Sequence, residues 1–250
     1  GAGFDPIVSR RQLSLQVKAT LVEPPCGSNT CVLDDGKELL FVDSGFGCYA
    51  EETLAVLRQE IPNFDEKPKR LLLTHGDVDH IGLWPYCDQV LVNGDIHHNF
   101  VLAHSRRPDF REQNDHHAPY SRISKIIIGY EPPTLDKLVS LGQSKCPDVL
   151  NHIGYLNFGD LCLKIFQGRG GHVRGEMIFM DDVQKIMFTG DNLVNIRGFS
   201  QNQKEFNVLA PYLMTSVNMD SEEATACRKL LQEWGKGYFI IPGHGKWFGM

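Results

Sequence analysis

At 250 residues with a formal net charge of −6, the chain can bury one large α/β core or two small ones, and it is too acidic for a general nucleic-acid coat. Hydrophobic residues make up 42% and charged residues 22%, an ordinary balance for a globular domain, and no stretch reaches the length of a membrane span. The 7 cysteines are odd in number and form no C-x-x-C pair, which argues against a zinc ribbon or a disulfide framework and for small buried thiols in a reducing compartment.

Residues 13–22 alternate apolar and polar side chains, which predicts a half-buried strand, broken at Pro24-Pro25-Cys26-Gly27-Ser28. Strands follow at residues 29–33 and 39–42 around the turn Asp34-Asp35-Gly36, and Asp43-Ser44-Gly45 ends the second. Leu54, Ala55 and Leu57 recur at helical spacing across residues 51–60, and Pro62 stops the helix. A strand at residues 70–73 then runs into Thr74-His75-Gly76-Asp77-Val78-Asp79-His80-Ile81-Gly82. His75, Asp77, Asp79 and His80 crowd into one small volume there, and such groups are costly to desolvate unless a cation neutralises them. A divalent metal does so directly; the plainer alternative is a solvated polar loop after a buried strand.

Residues 89–92 form another short strand. Residues 93–152 show no clear period and hold His97, His98, His104, His116 and His117 with Arg106, Arg107, Arg111, Arg122 and Lys125. The expectation is a helical insertion or lid within a single domain spanning residues 1–250. Its histidines read as surface or satisfied loop residues and its basic side chains as a solvated face. A strand at residues 161–166 leads to Gly171-His172, and strands at 177–180 and 185–188 flank a turn at Asp181-Asp182 before Gly190-Asp191. A helix over residues 221–234, with Ser221 as N-cap, precedes a last strand at 238–241 that ends in Gly243-His244. Four separate apolar strands thus end in glycine-flanked His or Asp, where glycine lets backbone turn sharply and ligands converge.

This ordered set resembles the metallo-β-lactamase superfamily, whose signature is a strand followed by Thr-His-x-His-x-Asp-His, then Gly-His, Gly-Asp and a final Gly-His. Here it reads Thr74-His75-x-Asp77-x-Asp79-His80, Gly171-His172, Gly190-Asp191 and Gly243-His244. Phe41-Val42-Asp43-Ser44-Gly45 is similar to the family's strand ending in Asp-x-Gly, whose aspartate supports the metal loop from behind the ligands. The resemblance implies an α/β fold, an αββα sandwich of two mixed β-sheets flanked by helices, with the site at one edge. It also implies two divalent metal ions, with His75, Asp77 and His172 on the first, Asp79, His80 and His244 on the second, and Asp191 bridging both.

Most of the family carries histidine where Asp77 stands; aspartate there resembles a minority of branches, including the hydrolase domain of bacterial DNA-uptake proteins. Carboxylates suit harder ions, so Asp77 shifts the expected preference from zinc towards manganese or iron. An Asp77 that misses the metal would instead leave one well-formed site. The implied function is a dinuclear metal-dependent hydrolase in which a metal-bridging hydroxide attacks a phosphoester, lactone or thioester. Asp79 is the candidate catalytic residue, orienting the nucleophile as well as binding metal.

Arg169 and Arg174 flank His172 and are candidates for binding an anionic substrate group; their alternative is a salt bridge to Asp181 or Asp182. Two other readings use the same ligands. One is a mononuclear non-haem iron dioxygenase of the persulfide-dioxygenase type, against which the complete second ligand set counts; the other is a metal-binding sensor without turnover. The expected partner is a small-molecule substrate, with a phosphodiester or nucleic acid left open and no membrane. Gly1-Ala2-Gly3 reads as a cloning remnant, no export signal is recognisable, and the expected location is cytoplasmic. The sequence does not speak to oligomeric state.

Overall fold

Runs of β-branched, leucine and phenylalanine residues between Gly, Pro and Asp turns fold into two sheets in the computed structural model, which describes residues 3–145 and 148–250. The first sheet holds β1 (Ile7–Gln12), β2 (Lys18–Glu23), β3 (Thr30–Asp34), β4 (Leu39–Ser44), β5 (Lys69–Leu72), β6 (Gln89–Val92) and β7 (Leu138–Ser140), in that spatial order. Pairing is antiparallel from β1 to β4 and parallel from β4 to β7. The second sheet holds β8 (Leu150–Phe158), β9 (Leu161–Gly168), β10 (Met177–Asp181), β11 (Ile186–Gly190), β12 (Phe239–Pro242) and β13 (Phe248–Gly249), in the order β13-β12-β11-β10-β9-β8. Among the described residues, β11 and β12 pair in parallel there and the other neighbouring strands antiparallel.

The helices are α1 (Ala50–Glu60), α2 (Gly94–His104), α3 (Ala118–Ile128), α4 (Gln201–Met214) and α5 (Ser221–Trp234). Leu21, Val32, Phe41 and Leu72 of the first sheet share one buried cluster with Leu163, Ile165, Phe179 and Phe188 of the second. The period-2 alternation of β10 divides it cleanly. Met177 and Phe179 face that inter-sheet core, whereas Ile178 and Met180 pack outward with Cys227 and Leu231 of α5. Strand β4 is buried along its whole length, as a strand covered on both faces must be. The result is the αββα sandwich of two mixed sheets.

Several elements depart from expectation. The strand expected at residues 13–22 is a hairpin turn and β2. Leu13 and Ser14 both donate backbone N–H groups to Val17 O, Ser14 Oγ accepts from Val17 N, and Leu15 at the tip is 96% exposed. Alternating apolar residues around the turn imitated one continuous strand. The segment 93–152 is helical at α2 and α3, but β7 pairs with β6 and residue 150 already opens β8, so the helical part is shorter than expected. Helix α5 is capped by Asp220, which accepts from the N–H groups of Glu222 and Glu223, so Ser221 is its first residue instead of its cap.

Cys31, Cys87 and Cys227 are buried as expected, whereas Cys48 and Cys162 are exposed; Gly1, Ala2 and Cys146 lie outside the described residues. Among the described residues no helix is long and apolar enough to cross a membrane.

Candidate metal centre

The ends of β5, β9, β11 and β12 meet at one edge of the sandwich, and backbone hydrogen bonds fix the loops that follow them. Ser44 N donates to His80 O at 2.8 Å and Gly82 N to Gly45 O at 2.9 Å, which anchors the loop after β5 against the end of β4. Met177 N donates to Thr74 O at 2.6 Å, tying this loop to the second sheet. At Gly243 a Cβ would press into Asp191 Oδ1 and the Gly190 backbone, so only glycine lets the end of β12 pass beneath Asp191. The loop carrying His172 is held by Glu176, a residue 1% exposed. Its carboxylate accepts from the backbone N–H groups of Gly170, Gly171, His172 and Val173 at 2.8–3.2 Å.

Two triads of ligand atoms result, His75 with Asp77 and His172, and Asp79 with His80 and His244, and a third group, His75 with His80 and Asp191, overlaps both. In the first, Asp77 Oδ2 lies 3.3 Å from His75 Nε2 and 3.4 Å from His172 Nε2. In the second, Asp79 lies 3.8 Å from His80 Nε2 and 3.4 Å from His244 Nε2. Asp191 stands between them, 3.4 Å from His80 Nε2, 3.4 Å from His172 Nε2 and 3.2 Å from His244 Nε2. Ligands arranged tetrahedrally about 2.0–2.1 Å from one ion stand about 3.3–3.4 Å apart, so these separations fit a metal-binding cage.

Hydrogen bonds behind the ligands aim them inward. His75 Nδ1 is 2.9 Å from Thr74 Oγ1, which donates to Asp43 Oδ2 at 2.7 Å, and His80 Nδ1 is 2.8 Å from the same Asp43 oxygen. Asp43 Oδ1 also accepts from Thr74 N, so one buried carboxylate orients both histidines. His172 Nδ1 meets Asn218 Oδ1 at 3.0 Å. The opposite nitrogens, His75 Nε2 and His80 Nε2, and Asp191 Oδ1 are buried without a hydrogen-bond partner, the condition of atoms awaiting a cation.

The field of the cage follows from this crowding. Burial works to raise the carboxyl of Asp191, but the charges of His244 and His80 outweigh it and hold the group well below the usual range. Burial likewise opposes ionisation of Asp77, and Arg111, then His172 and His75, hold it ionised. His80 and His244 lose charge stability by burial yet gain more from the facing aspartates, so both sit above the ordinary histidine value. Burial and the neighbouring His80 push His75 down. A divalent ion entering the cage would compete with these protons.

The two arginines expected at the substrate do not line the cleft. Arg169 pairs with Glu223 at 3.0 Å, and Arg174 pairs with Asp95 at 2.8 Å and lies over the Phe110 ring. Their alternative partners are otherwise engaged. Asp181 accepts from backbone N–H groups of Cys162, Val183 and Gln184, while Asp182 pairs with Lys164. The cation that does enter is Arg111, expected on a solvated face. Its side chain is 11% exposed, and it binds Asp77 through both Nε and Nη2. His117 is buried beside it, pushed down to about 4 by burial and by the Arg111 charge.

A cleft of about 780 Å³, open mouth included, leads to the cage. Asp77, Asp79, Arg111, His172, Asp191 and His244 line its polar side; Phe46, Val78, Phe206, Ala210, Met214 and Val217 supply an apolar wall. Half of that wall comes from α4, which the sequence did not foretell.

A family model, that of the metallo-beta-lactamase superfamily, matches residues 24–244. Solved structures share the fold. A metallo-beta-lactamase from Pontibacter korlensis is 14% identical, with 97% of this chain and 94% of that one covered and a TM-score of 0.55. An archaeal metallo-beta-lactamase superfamily protein from Sulfolobus tokodaii is 15% identical, covering 90% and 79%, with a TM-score of 0.53. AidC, a dizinc quorum-quenching lactonase solved with a homoserine product, is 16% identical, covering 93% and 81%, with a TM-score of 0.51. No curated protein matches the chain.

Proposed function

The chain belongs to the metallo-beta-lactamase superfamily, and from that premise we propose that it is a divalent-metal-dependent hydrolase of a small ester-type molecule, a lactone or thioester with an apolar arm. The observation that carries this reading is Asp191, one carboxylate within 3.2–3.4 Å of imidazole nitrogens from both triads. Divalent ions, which the two triads and Asp191 would hold, would supply a Lewis acid and lower the pKa of a bound water towards neutrality. Zinc is the usual ion of the family, and Asp77 favours manganese or iron as alternatives.

The chain's own side chains supply the rest. Asp79 borders both the cage and the cleft, where its carboxylate can accept a proton from the attacking water and orient it as well as bind metal. Asp43 and Thr74 hold His75 and His80 in the tautomer that turns Nε2 inward. Phe46, Phe206, Ala210 and Met214 exclude water and offer an apolar arm a surface to cover. Among the lining residues Arg111 is the one cationic side chain outside the histidines, and Asp77 already engages it. A polyanionic nucleic acid would find little to hold its phosphates, which favours an ester over a phosphodiester.

A substrate panel tests this. N-acyl lactones and acyl thioesters are expected to turn over with added zinc or manganese, and chelation is expected to abolish turnover. Each methylene added to the acyl arm should lower KM about two- to fourfold until the apolar wall is covered. Turnover confined to phosphodiesters would overturn the substrate class, and turnover indifferent to chelator would overturn the metal mechanism. Substrate-dependent oxygen uptake would point instead to the iron dioxygenase.

A further inference from the structure

Arg111 has an unusual position for a basic residue next to a cationic centre. Its Nη2 lies 2.6 Å from Asp77 Oδ2 and 3.0 Å from His172 Nε2. Those are two of the three ligand atoms of the first triad. The lone pair of His172 Nε2 can face a guanidinium N–H or a metal ion, not both, and the Nδ1 contact with Asn218 leaves no other nitrogen to offer. The second triad has no such neighbour: among the described residues, the ion-pair partners of Asp79 are His80 and His244.

The guanidinium is held in place from outside the cage. Nη1 donates to Val217 O at 2.6 Å and lies 3.1 Å from His117 Nδ1. The adjoining Phe110 donates its N–H to Asn99 Oδ1 at 2.8 Å and packs with Leu102 and Val173. The segment between α2 and α3 therefore delivers a fixed positive charge to one half of a symmetric-looking site.

We propose that Arg111 is a tethered cation that competes with metal for the His75–Asp77–His172 triad, so that the two halves of the cage load unequally. The proposal rests on the metallohydrolase reading and adds to it an internal control of metal occupancy. The Asp79–His80–His244 half, with Asp191, fills first. The other half fills only as Arg111 gives up its hydrogen bonds to Asp77 and His172. Asp77 and Arg111 act as one unit, because a forked guanidinium pairs with a carboxylate in a way it cannot with an imidazole.

Zinc titrated into chelator-stripped full-length protein, followed by calorimetry or by competition with a fluorescent chelator, reads this directly. The wild type is expected to bind a second equivalent at least about tenfold more weakly than the first, the scale of the charge-assisted bonds that Arg111 must break. Arg111→Met should strengthen the second equivalent at least about tenfold and leave the first unchanged. Arg111→Lys, which keeps the charge and loses the fork, should fall between them. If Arg111→Met does not fold, the lysine variant carries the test, since its second equivalent must still bind more tightly than in the wild type. Two equal wild-type sites, or a second equivalent unchanged or weakened in the variants, would overturn the proposal while leaving the metallohydrolase reading intact. No zinc bound by any of these proteins would overturn both.

Discussion

Asp191→Asn is expected to lower metal affinity about a hundredfold or more and kcat/KM about a thousandfold. Asparagine keeps the shape of the side chain, so the strand ends and Gly243 beneath it need not move. What disappears is the one negative charge that both triads share, 3.2–3.4 Å from His80, His172 and His244. The remaining imidazoles crowd each other, with the rings of His75 and His80 only 3.9 Å apart, and an uncharged amide neither offsets a divalent ion nor supplies a ligand of comparable strength. Metal content by plasma mass spectrometry and steady-state kinetics on a responsive ester check both figures. Full metal retention in Asp191→Asn would remove Asp191 from the centre.

Glu176→Gln is expected to have the largest effect on stability of any single polar substitution near the site. The carboxylate is buried and receives four backbone N–H groups, two on each oxygen. Glutamine retains one acceptor oxygen and turns an NH₂ group towards two of those donors. Two buried amides lose their partner and face another donor, a loss of about 3–5 kcal/mol. For a chain of this size that lowers the thermal midpoint by about 6–20 °C. The loop concerned carries His172 and supports the start of α5, because a Cβ on Gly171 would collide with Ala224. Metal affinity at the first triad should therefore fall together with stability. A midpoint within about 2 °C of wild type would show that the four amides find other partners.

The clustering of the ligand side chains was legible because each stands where an apolar strand ends beside glycine, a pattern local in sequence. The place of Asp43 behind them followed from the resemblance of Phe41-Val42-Asp43-Ser44-Gly45 to the family's strand ending in Asp-x-Gly. Arg111 was not legible. It sits among several basic residues in a stretch without a period, and its meaning comes from Asp77, 34 positions away. Arg169 and Arg174 show the reverse error, since proximity to His172 along the chain says nothing about direction, and Glu223 and Asp95 draw them away from the cleft.

Helix α4 hid for a related reason. Val208, Leu209, Tyr212 and Leu213 are exposed while Gln203, Ala210 and Met214 are buried, so the hydrophobic residues do not mark the inward face, and Pro211 lies inside the helix. The individual strands were accessible from local pattern and the sandwich from the family resemblance their endings carry, whereas the cleft wall depended on contacts between segments that no local pattern announces.

Native mass spectrometry of protein purified without chelator or added metal, repeated after incubation with zinc, manganese or ferrous iron, tests the metal centre most directly. One tightly held divalent ion per chain, rising to two under excess metal and absent from Asp191→Asn, is the expected result. A wild-type chain that folds yet takes up no divalent ion under any of these conditions would contradict the metal-dependent mechanism and leave only the fold.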